Sequence, residues 1–215
     1  MTTRIFLIRH ADVQNPQRLL YGHLPDFRLS PLGRAQAAAV GQRLRGSGLS
    51  LIVHSPLDRA RETAEIIRDQ LKHLVPLRPE PELREAEFSR YLQGVPFWQI
   101  PARRPLWWVH KARRGLLPGD ETVASMGGRI LDVMWKVARE RPDEVTALVS
   151  HADPLQAAWI LLDGRPHKER EMYRKAVDRA GALEIDLEGD EISRMDYVRT
   201  PKVSLEAAEG SRPAP

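Results

Sequence analysis

The feature that most constrains this chain is a set of short apolar runs that end abruptly in polar residues. The runs are RIFLI at residues 4–8, LIV at 51–53 and VTALV at 145–149. Their length, their β-branched residues and the absence of polar alternation predict strands that are buried on both faces of a sheet. Segments with a helical pattern lie between successive runs, which favours βαβ units and a mostly parallel sheet.

Helix and turn signals complete this prediction. Ser30-Pro31 and Ser55-Pro56 each place a capping serine before a proline, which is typical of the start of a helix. Further helices are expected over about 17 residues after Thr122 and from Pro154 to about Leu162, and Glu188-Gly189-Asp190 between two alternating segments indicates a hairpin. The pattern predicts a three-layer α/β/α sandwich with a mostly parallel central sheet.

The domain organisation expected from the sequence is simple. Residues 1–200 are predicted to form a single α/β domain, and residues 201–215, which include AAEGSRPAP, are predicted to be a flexible tail. Residues 75–118 contain many prolines and aromatic residues, and we expect an insertion there that forms one wall of a pocket. Within it, Trp98, Trp107 and Trp108 either contact substrate or pack the insertion against the core or a second subunit.

Composition narrows the class of protein and its partners. The chain has no cysteine, which excludes disulfides and thiolate chemistry, and the apolar run IFLI is too short for a signal peptide or a membrane span. We therefore expect a cytoplasmic protein with no membrane partner; a homodimer is left open. A basic cluster suggests nucleic-acid contact as an alternative, but such clusters are usually solvated, and we expect no nucleic-acid partner. It comprises Arg103, Arg104, Lys111, Arg113 and Arg114.

Three strands end in groups that suit an anion. Arg9-His10, Ser55 followed by Arg59, and Ser150-His151 come directly after the three apolar runs. Ligands of open α/β sheets bind beyond the carboxyl ends of the strands, so these groups are expected to converge. Phosphoryl transfer needs positive charge around the phosphate, a nucleophile in line with the leaving group and an acid for the leaving oxygen. A neutral imidazole with one nitrogen held as a donor can be that nucleophile.

The order and spacing of several motifs carry a family resemblance. The motifs are LIRHAD at 7–12, the loop residues Asn15, Gly22 and Asp26, LSPLGRAQA at 29–37, SPLDRARETAEII at 55–67, LRE at 83–85 and LVSHAD at 148–153. From residue 4 to about residue 160 the chain resembles the histidine phosphatase superfamily, also called the phosphoglycerate mutase-like family. RH alone would be a weak signal, but the set together is specific.

The resemblance implies roles for the residues that match the motifs. His10 matches the nucleophile that becomes phosphohistidine, Arg9 and Arg59 match the phosphate-binding arginines, and His151 matches a second histidine that donates to the phosphate. The family mechanism uses no metal and no cofactor, and the histidines lack the local spacing of a zinc site.

Two further residues each have an alternative interpretation. Glu85 matches the family's proton donor to the leaving group, but a glutamate in an acidic run is also typical of a solvated surface. Asn15 matches a position that lines the phosphate pocket, although an asparagine before Pro16 is also an ordinary turn residue.

The chain departs from the family pattern at two places. Ala11 stands where the family usually has a glycine after the catalytic histidine, which adds a methyl group where the backbone passes the phosphate. Ser89 replaces a glycine in FSRYLQG at 88–94, which indicates a substrate wall of unusual shape. The resemblance implies a phosphomonoesterase that acts on a small phosphorylated metabolite through a phosphohistidine, an enzyme of the histidine acid phosphatase type. The alternatives are phosphoglycerate mutase-type transfer and a non-catalytic phosphate-sensing protein.

Overall fold

A mixed β-sheet runs through the middle of the computed structural model, which describes residues 2–87 and 91–203. Its strands are β1 (Thr3–Arg9), β2 (Leu49–His54), β3 (Leu77–Pro79), β4 (Val145–Ser150), β5 (Ala182–Glu188) and β6 (Glu191–Val198). In the order β3-β2-β4-β1-β5-β6, the first four strands are parallel and the last two form an antiparallel hairpin at one edge. The sequence pattern misses β3, because its three residues are too few for a periodic signal.

Four of the six α-helices in the described ranges cover the faces of this sheet. The six are α1 (Pro31–Arg43), α2 (Asp58–Asp69), α3 (Ile100–Arg103), α4 (Trp107–Ala112), α5 (Val123–Glu140) and α6 (Ala152–Leu162). Helices α1 and α2 belong to the apolar cluster on one face, whereas α5 and α6 belong to the cluster on the other. This arrangement confirms the predicted three-layer α/β/α sandwich.

Strand β1 shows why the first apolar run carries no alternation. Ile5 and Leu7 point to the face covered by α5 and α6, whereas Phe6 and Ile8 point to the face covered by α1 and α2. Successive side chains of a strand lie on opposite faces, so a strand between two helical layers must be apolar at every position. The buried position of β1 fixes its carboxyl end, and therefore the next residue, His10, at the centre of the sheet edge.

The predicted helix starts are confirmed at Ser30 and Thr122 but wrong at Ser55. Ser30 Oγ accepts a hydrogen bond from the Gly33 amide at 3.0 Å, and Thr122 Oγ1 accepts one from the Ser125 amide at 3.1 Å. Helix α2, however, begins at Asp58 and has no side-chain cap. The Ser55 hydroxyl accepts a hydrogen bond from the Leu57 amide at 3.3 Å, before the helix begins, and lies 2.8 Å from Nε2 of the buried His151.

The carboxyl-terminal part of the chain follows the predicted hairpin. Strands β5 and β6 are joined at Gly189, whose φ of +63° is readily adopted by glycine. The predicted flexible tail at 201–215 lies mostly outside the described residues, since the structure describes the chain only to residue 203. Among the described residues, none of the helices has the length and apolar character needed to cross a membrane.

Candidate active site

His10 directly follows β1 and is buried, with only 1% of its surface exposed. Its Nδ1 lies 2.8 Å from the carbonyl oxygen of Ala11. A carbonyl can only accept, so Nδ1 carries the proton and Nε2 keeps its lone pair. Burial, together with the positive charges of Arg59 and Arg9, holds the pKa of His10 well below its usual value. The imidazole is therefore neutral at neutral pH and has a free nucleophilic nitrogen.

His151 lies between β4 and α6 and is fully buried beside His10. The two ring centroids are 5.0 Å apart. The Nε2 atom of His151 lies 2.8 Å from Ser55 Oγ, while its Nδ1 has no hydrogen-bond partner within the described part of the chain. Burial and the charge of Arg59 lower the pKa of His151, so this ring is also neutral. When the serine hydroxyl donates to Nε2, the proton lies on Nδ1, which can then donate to an anion.

Arg9 and Arg59 place two guanidinium groups around His10. Arg59, on the first turn of α2, is 1% exposed; its Nη2 donates to the Gly22 carbonyl at 2.7 Å, and its guanidinium lies 4.7 Å from the Tyr21 ring centroid. Arg9 Nη1 donates to the Val177 carbonyl at 2.7 Å. The Nε atoms of both arginines are buried and have no hydrogen-bond partner among the residues described. An unsatisfied buried donor costs roughly 1–3 kcal/mol, a cost that a bound anion would remove.

Glu85 brings a carboxyl group to the two histidines. Its side chain is buried, and Oε1 accepts a hydrogen bond from the Ala86 amide at 2.9 Å. One carboxylate oxygen of Glu85 and one ring nitrogen from each of His10 and His151 all lie within 4.8 Å of one another. Burial, and then the negative charge of Asp153, raise the pKa of Glu85 to about 7. Glu85 is therefore not a solvated surface residue, and with a pKa of about 7 both its protonated and its ionised form are populated near neutral pH.

The same three side chains are also a donor set of the kind that binds a divalent metal. His10, Glu85 and His151 each offer one ligand atom, and nitrogen and oxygen donors suit zinc. The positive charges of Arg9 and Arg59, which act on His10, would raise the free energy of a cation in the same place. The charge balance therefore favours an anion over a metal ion.

Asn15 lies at the cavity edge, and its amide group is bonded to the backbone of Leu19. Its Nδ2 donates to the Leu19 carbonyl at 3.0 Å, and its Oδ1 accepts from the Leu19 amide at 3.0 Å. The side chain therefore closes the loop after Pro16, as the turn interpretation expects. A contact between Asn15 and phosphate stays a prediction.

Ala11 fits the structure without disturbing His10. The alanine is fully buried in the apolar cluster between the sheet and α2, and its amide donates to Thr63 Oγ1 at 3.1 Å. The methyl group therefore adds to the core. The second departure from the family pattern, Ser89, lies outside the described residues.

A cavity of about 840 Å³ adjoins the buried cluster. Arg9 and Glu85 line it and connect it with the two histidines. Much of its remaining wall comes from the segment predicted to be an insertion, including Trp107, whereas Trp98 and Trp108 are largely exposed to solvent. The segment therefore contributes directly to the space that a leaving group would occupy.

Arg179 is a cavity residue that the sequence interpretation misses. It pairs with Asp12, and its positive charge is one of those that lower the pKa of His10. Asp12 is itself fixed, since its Oδ2 accepts a hydrogen bond from Ser30 Oγ at 2.5 Å. A Cβ at Gly33 would lie 2.0 Å from the Asp12 carbonyl oxygen, which explains the glycine of LSPLG. No local motif marks Arg179, because it lies in a loop just before β5.

In the basic cluster at 103–114, Arg103, Lys111 and Arg113 are exposed, as expected of a solvated charge run, whereas Arg114 is buried. Arg114 Nη2 donates to Asp153 Oδ2 at 2.6 Å, and its Nε donates to Glu169 Oε2 at 2.5 Å. Lys111 Nζ lies 3.6 Å from the same glutamate. These two cations compensate acidic groups inside the protein.

Comparisons with known proteins identify the family of this chain. The model of the histidine phosphatase superfamily, branch 1, matches residues 5–197. The uncharacterized protein Rv0525 of Mycobacterium tuberculosis is 32% identical over 168 residues, which cover 76% of this chain and 80% of that protein. The probable phosphoglycerate mutase GpmB of Yersinia enterocolitica is 28% identical over 92% of this chain and 86% of its own. The uncharacterized phosphatase PhoE of Bacillus subtilis is 28% identical over 75% of this chain and 78% of its own.

Solved structures share the same fold. Bacillus stearothermophilus YhfR superimposes with a TM-score of 0.80 at 22% identity, covering 94% of this chain and 98% of its own. The mycobacterial glucosyl-3-phosphoglycerate phosphatase Rv2419c gives a TM-score of 0.75 at 23% identity, with coverages of 94% and 100%. The chain belongs to branch 1 of the histidine phosphatase superfamily, whose members are enzymes of phosphoryl transfer.

Proposed function

We propose that this protein is a phosphomonoesterase that hydrolyses a small phosphorylated metabolite through a phosphohistidine at His10. The observation that carries the proposal, within the residues described, is the unpaired Nε2 of the buried His10 beside the buried carboxyl group of Glu85. Unsatisfied donors on Arg9, Arg59 and His151 surround this pair. Together they supply a nucleophile, an acid and positive charge for the phosphate oxygens.

In the first step, His10 Nε2 attacks the phosphorus atom while the bond from phosphorus to the ester oxygen breaks. The electron pair of that bond moves to the leaving oxygen, and Glu85 gives this oxygen its proton. Arg9, Arg59 and His151 hold the non-bridging oxygens and stabilise the charge that develops on them. General acid catalysis of this kind contributes roughly 10²- to 10⁴-fold to the rate.

In the second step, water attacks the phosphorus atom of the phosphohistidine. The Glu85 carboxylate, now deprotonated, takes one proton from the water, and the electron pair of the breaking P–N bond returns to Nε2. Inorganic phosphate leaves, and both His10 and Glu85 are back in their starting protonation states.

Hydrolysis is favoured over mutase-type transfer by the way the cavity is enclosed. A mutase must keep water from the phosphoenzyme until the phosphoryl group returns to bound product. Here one wall of the cavity is formed by the short helices α3 and α4 and a 3-10 turn, and Phe97 on that turn is 52% exposed. The relative GpmB carries a mutase name and the relative PhoE a phosphatase name, so the names of the relatives do not separate the two activities.

The test is hydrolysis of p-nitrophenyl phosphate between pH 5 and 8 by wild type and by His10→Ala. The proposal expects wild type to release nitrophenol and the variant to have lost this activity. Equal slow release by both proteins would contradict an enzyme, and binding of inorganic phosphate by both would then favour a sensing protein. Incubation with 3-phosphoglycerate separates the mutase alternative, because a mutase forms 2-phosphoglycerate and a phosphatase releases inorganic phosphate.

A further inference from the structure

We propose that the substrate's leaving alcohol carries an extended apolar body, which fills the cavity above Glu85. This inference rests on the proposed phosphomonoesterase and narrows its substrate class. It depends on the position of the acid, on the apolar wall of the cavity and on the internal pairing of the charges around it.

The position of Glu85 decides where the leaving group must lie. A general acid has to come within hydrogen-bond reach of the oxygen that it protonates. Glu85 and Arg9 both line the cavity, so an alcohol that leaves next to Glu85 has its carbon body in that space. At about 840 Å³ the cavity falls in the roughly 300–1,000 Å³ range that encloses drug-sized ligands, and a three-carbon alcohol would leave most of it unfilled.

One wall of the cavity is apolar and held in place by the backbone. It comprises Leu20, Leu92, Phe97, Ile100, Pro101 and Trp107. The loop after β1 and the segment that follows residue 91 are joined by a hydrogen bond from the Leu20 amide to the Val95 carbonyl at 2.9 Å. A second bond runs from the Phe97 amide to the Arg18 carbonyl at 3.0 Å. These bonds fix an apolar surface that a matching ligand would remove from water.

The charged side chains on the other walls are already compensated within the protein. Arg114 bridges Asp153 and Glu169, and Arg179 pairs with Asp12. Arg18 is the exception: it is exposed at the cavity edge, and no side-chain partner is seen for it in the described ranges. Apart from a contact with Arg18, an acidic or polyhydroxylated body would have to compete with these ion pairs for its donors, whereas an apolar body leaves them intact.

The test is a series of straight-chain alkyl phosphates from ethyl to octyl. Their leaving alcohols differ little in acidity, so differences in kcat/KM report binding of the carbon chain. Each buried methylene contributes about 0.8 kcal/mol, which corresponds to about fourfold in kcat/KM. We expect kcat/KM to rise by this factor for each added carbon until the cavity is filled. We also expect a higher kcat/KM for propyl phosphate than for glycerol 3-phosphate. A flat or falling series would overturn the inference.

A matched pair of tryptophan variants tests whether the rise of kcat/KM with chain length comes from binding in this cavity. Trp107 lines the cavity, whereas Trp98 is 74% exposed and is not among the lining residues. Trp107→Ala is expected to lower the ratio of octyl to ethyl phosphate kcat/KM at least about fivefold, while Trp98→Ala keeps the wild-type ratio. Equal ratios in both variants would contradict the proposed location.

The two proposals fail in different ways. If p-nitrophenyl phosphate is hydrolysed in a His10-dependent manner but the alkyl series is flat, only the substrate class is wrong. If neither p-nitrophenyl phosphate nor any alkyl phosphate is hydrolysed, the phosphomonoesterase itself is wrong.

Discussion

His10 and His151 lie side by side with their ring centroids 5.0 Å apart and their planes inclined at 59°. Their outer partners differ: His10 Nδ1 faces a carbonyl, whereas His151 Nε2 faces the Ser55 hydroxyl. The first arrangement leaves a lone pair free for phosphorus, and the second leaves an N–H free for a phosphate oxygen. Two identical side chains thus present an acceptor and a donor, respectively, because their hydrogen-bond partners differ.

The Ser55–His151 hydrogen bond provides the first prediction. Ser55→Ala removes the hydroxyl that donates to Nε2 of His151. The proton of this ring is then no longer held on Nδ1 and can move to Nε2. We expect kcat/KM for p-nitrophenyl phosphate to fall about tenfold, since one hydrogen bond is worth about 1.5 kcal/mol at most in neutral pairs. Nitrogen-15 NMR of the His151 ring is expected to show the proton leaving Nδ1 for a part of the molecules.

Ser55→Thr is the matched control, because it keeps a hydroxyl at the same position. It is expected to retain the wild-type tautomer of His151. A Ser55→Ala protein with unchanged activity and an unchanged nitrogen-15 spectrum would contradict the role given to this bond.

The raised pKa of Glu85 provides a prediction about pH. A general acid must be protonated, and the pKa of Glu85 is about 7, so kcat/KM is expected to fall as the pH rises through 7. His10 must be neutral to act as a nucleophile. Its pKa is depressed, so the loss of kcat/KM at acidic pH is expected below pH 6.5, the usual pKa of histidine. Activity is therefore highest on the acidic side of neutrality.

The variant Glu85→Gln tests whether Glu85 causes the fall of kcat/KM at alkaline pH. It is expected to abolish the fall near pH 7 and to lower kcat/KM for alkyl phosphates by roughly 10²- to 10⁴-fold. The loss is expected to be smaller for p-nitrophenyl phosphate, whose leaving group needs less protonation. An alkaline limb that persists in Glu85→Gln would show that another group titrates.

Two of the three arginines of α2, Arg59 and Arg61, provide a paired prediction. Arg59 is buried with an unsatisfied Nε, whereas Arg61 is exposed and pairs with Asp58 at 2.8 Å. Hydrogen bonds to charged groups are worth roughly 1.5–3 kcal/mol, so Arg59→Ala is expected to weaken phosphate inhibition about 10- to 100-fold. Arg61→Ala is expected to leave the inhibition constant unchanged.

Arg59→Lys separates charge from geometry, since lysine keeps the charge but loses the planar fork of donors. An intermediate inhibition constant is expected. The interpretation of Arg59 would be contradicted if Arg59→Ala bound phosphate as tightly as Arg61→Ala.

The buried methyl group of Ala11 provides a prediction about stability. Because this methyl group lies in the core, Ala11→Gly is expected to lower the free energy of unfolding by about 1–2 kcal/mol. The inhibition constant for phosphate is expected to stay within about twofold. Urea unfolding and phosphate inhibition measure the two quantities. A markedly tighter phosphate complex in Ala11→Gly would mean that the methyl group obstructs the pocket.

The sequence predicts the parts of the fold whose residues are constrained by local patterns. Strand β1 is apolar on both faces because helices cover both, and Ser30 caps α1 by a bond within three residues. Such features appear in short windows of sequence. The convergence of Arg9, Arg59 and His151 follows from the rule that ligands bind at the carboxyl ends of parallel strands.

The features that the sequence misses depend on contacts between distant segments. Ser55 resembles a helix cap until His151, far along the chain, accepts its hydroxyl. Arg179 reaches the site because the Ala180 amide is bonded to the Arg9 carbonyl at 3.1 Å. The family resemblance does predict Glu85 as the proton donor, but its local sequence is that of a surface residue, and only burial and Asp153 raise its pKa. None of these partners belongs to the same helix or strand as the residue that it affects.

Direct detection of a phosphoryl group on His10 tests the central claim. Wild type and Glu85→Gln are mixed with p-nitrophenyl phosphate, quenched in alkali and analysed by peptide mass spectrometry. The account predicts phosphohistidine at His10, stable in alkali and lost in acid, that accumulates in Glu85→Gln because water is no longer activated for the second step. A phosphoryl group on any other residue, or continued turnover by His10→Ala, would contradict it.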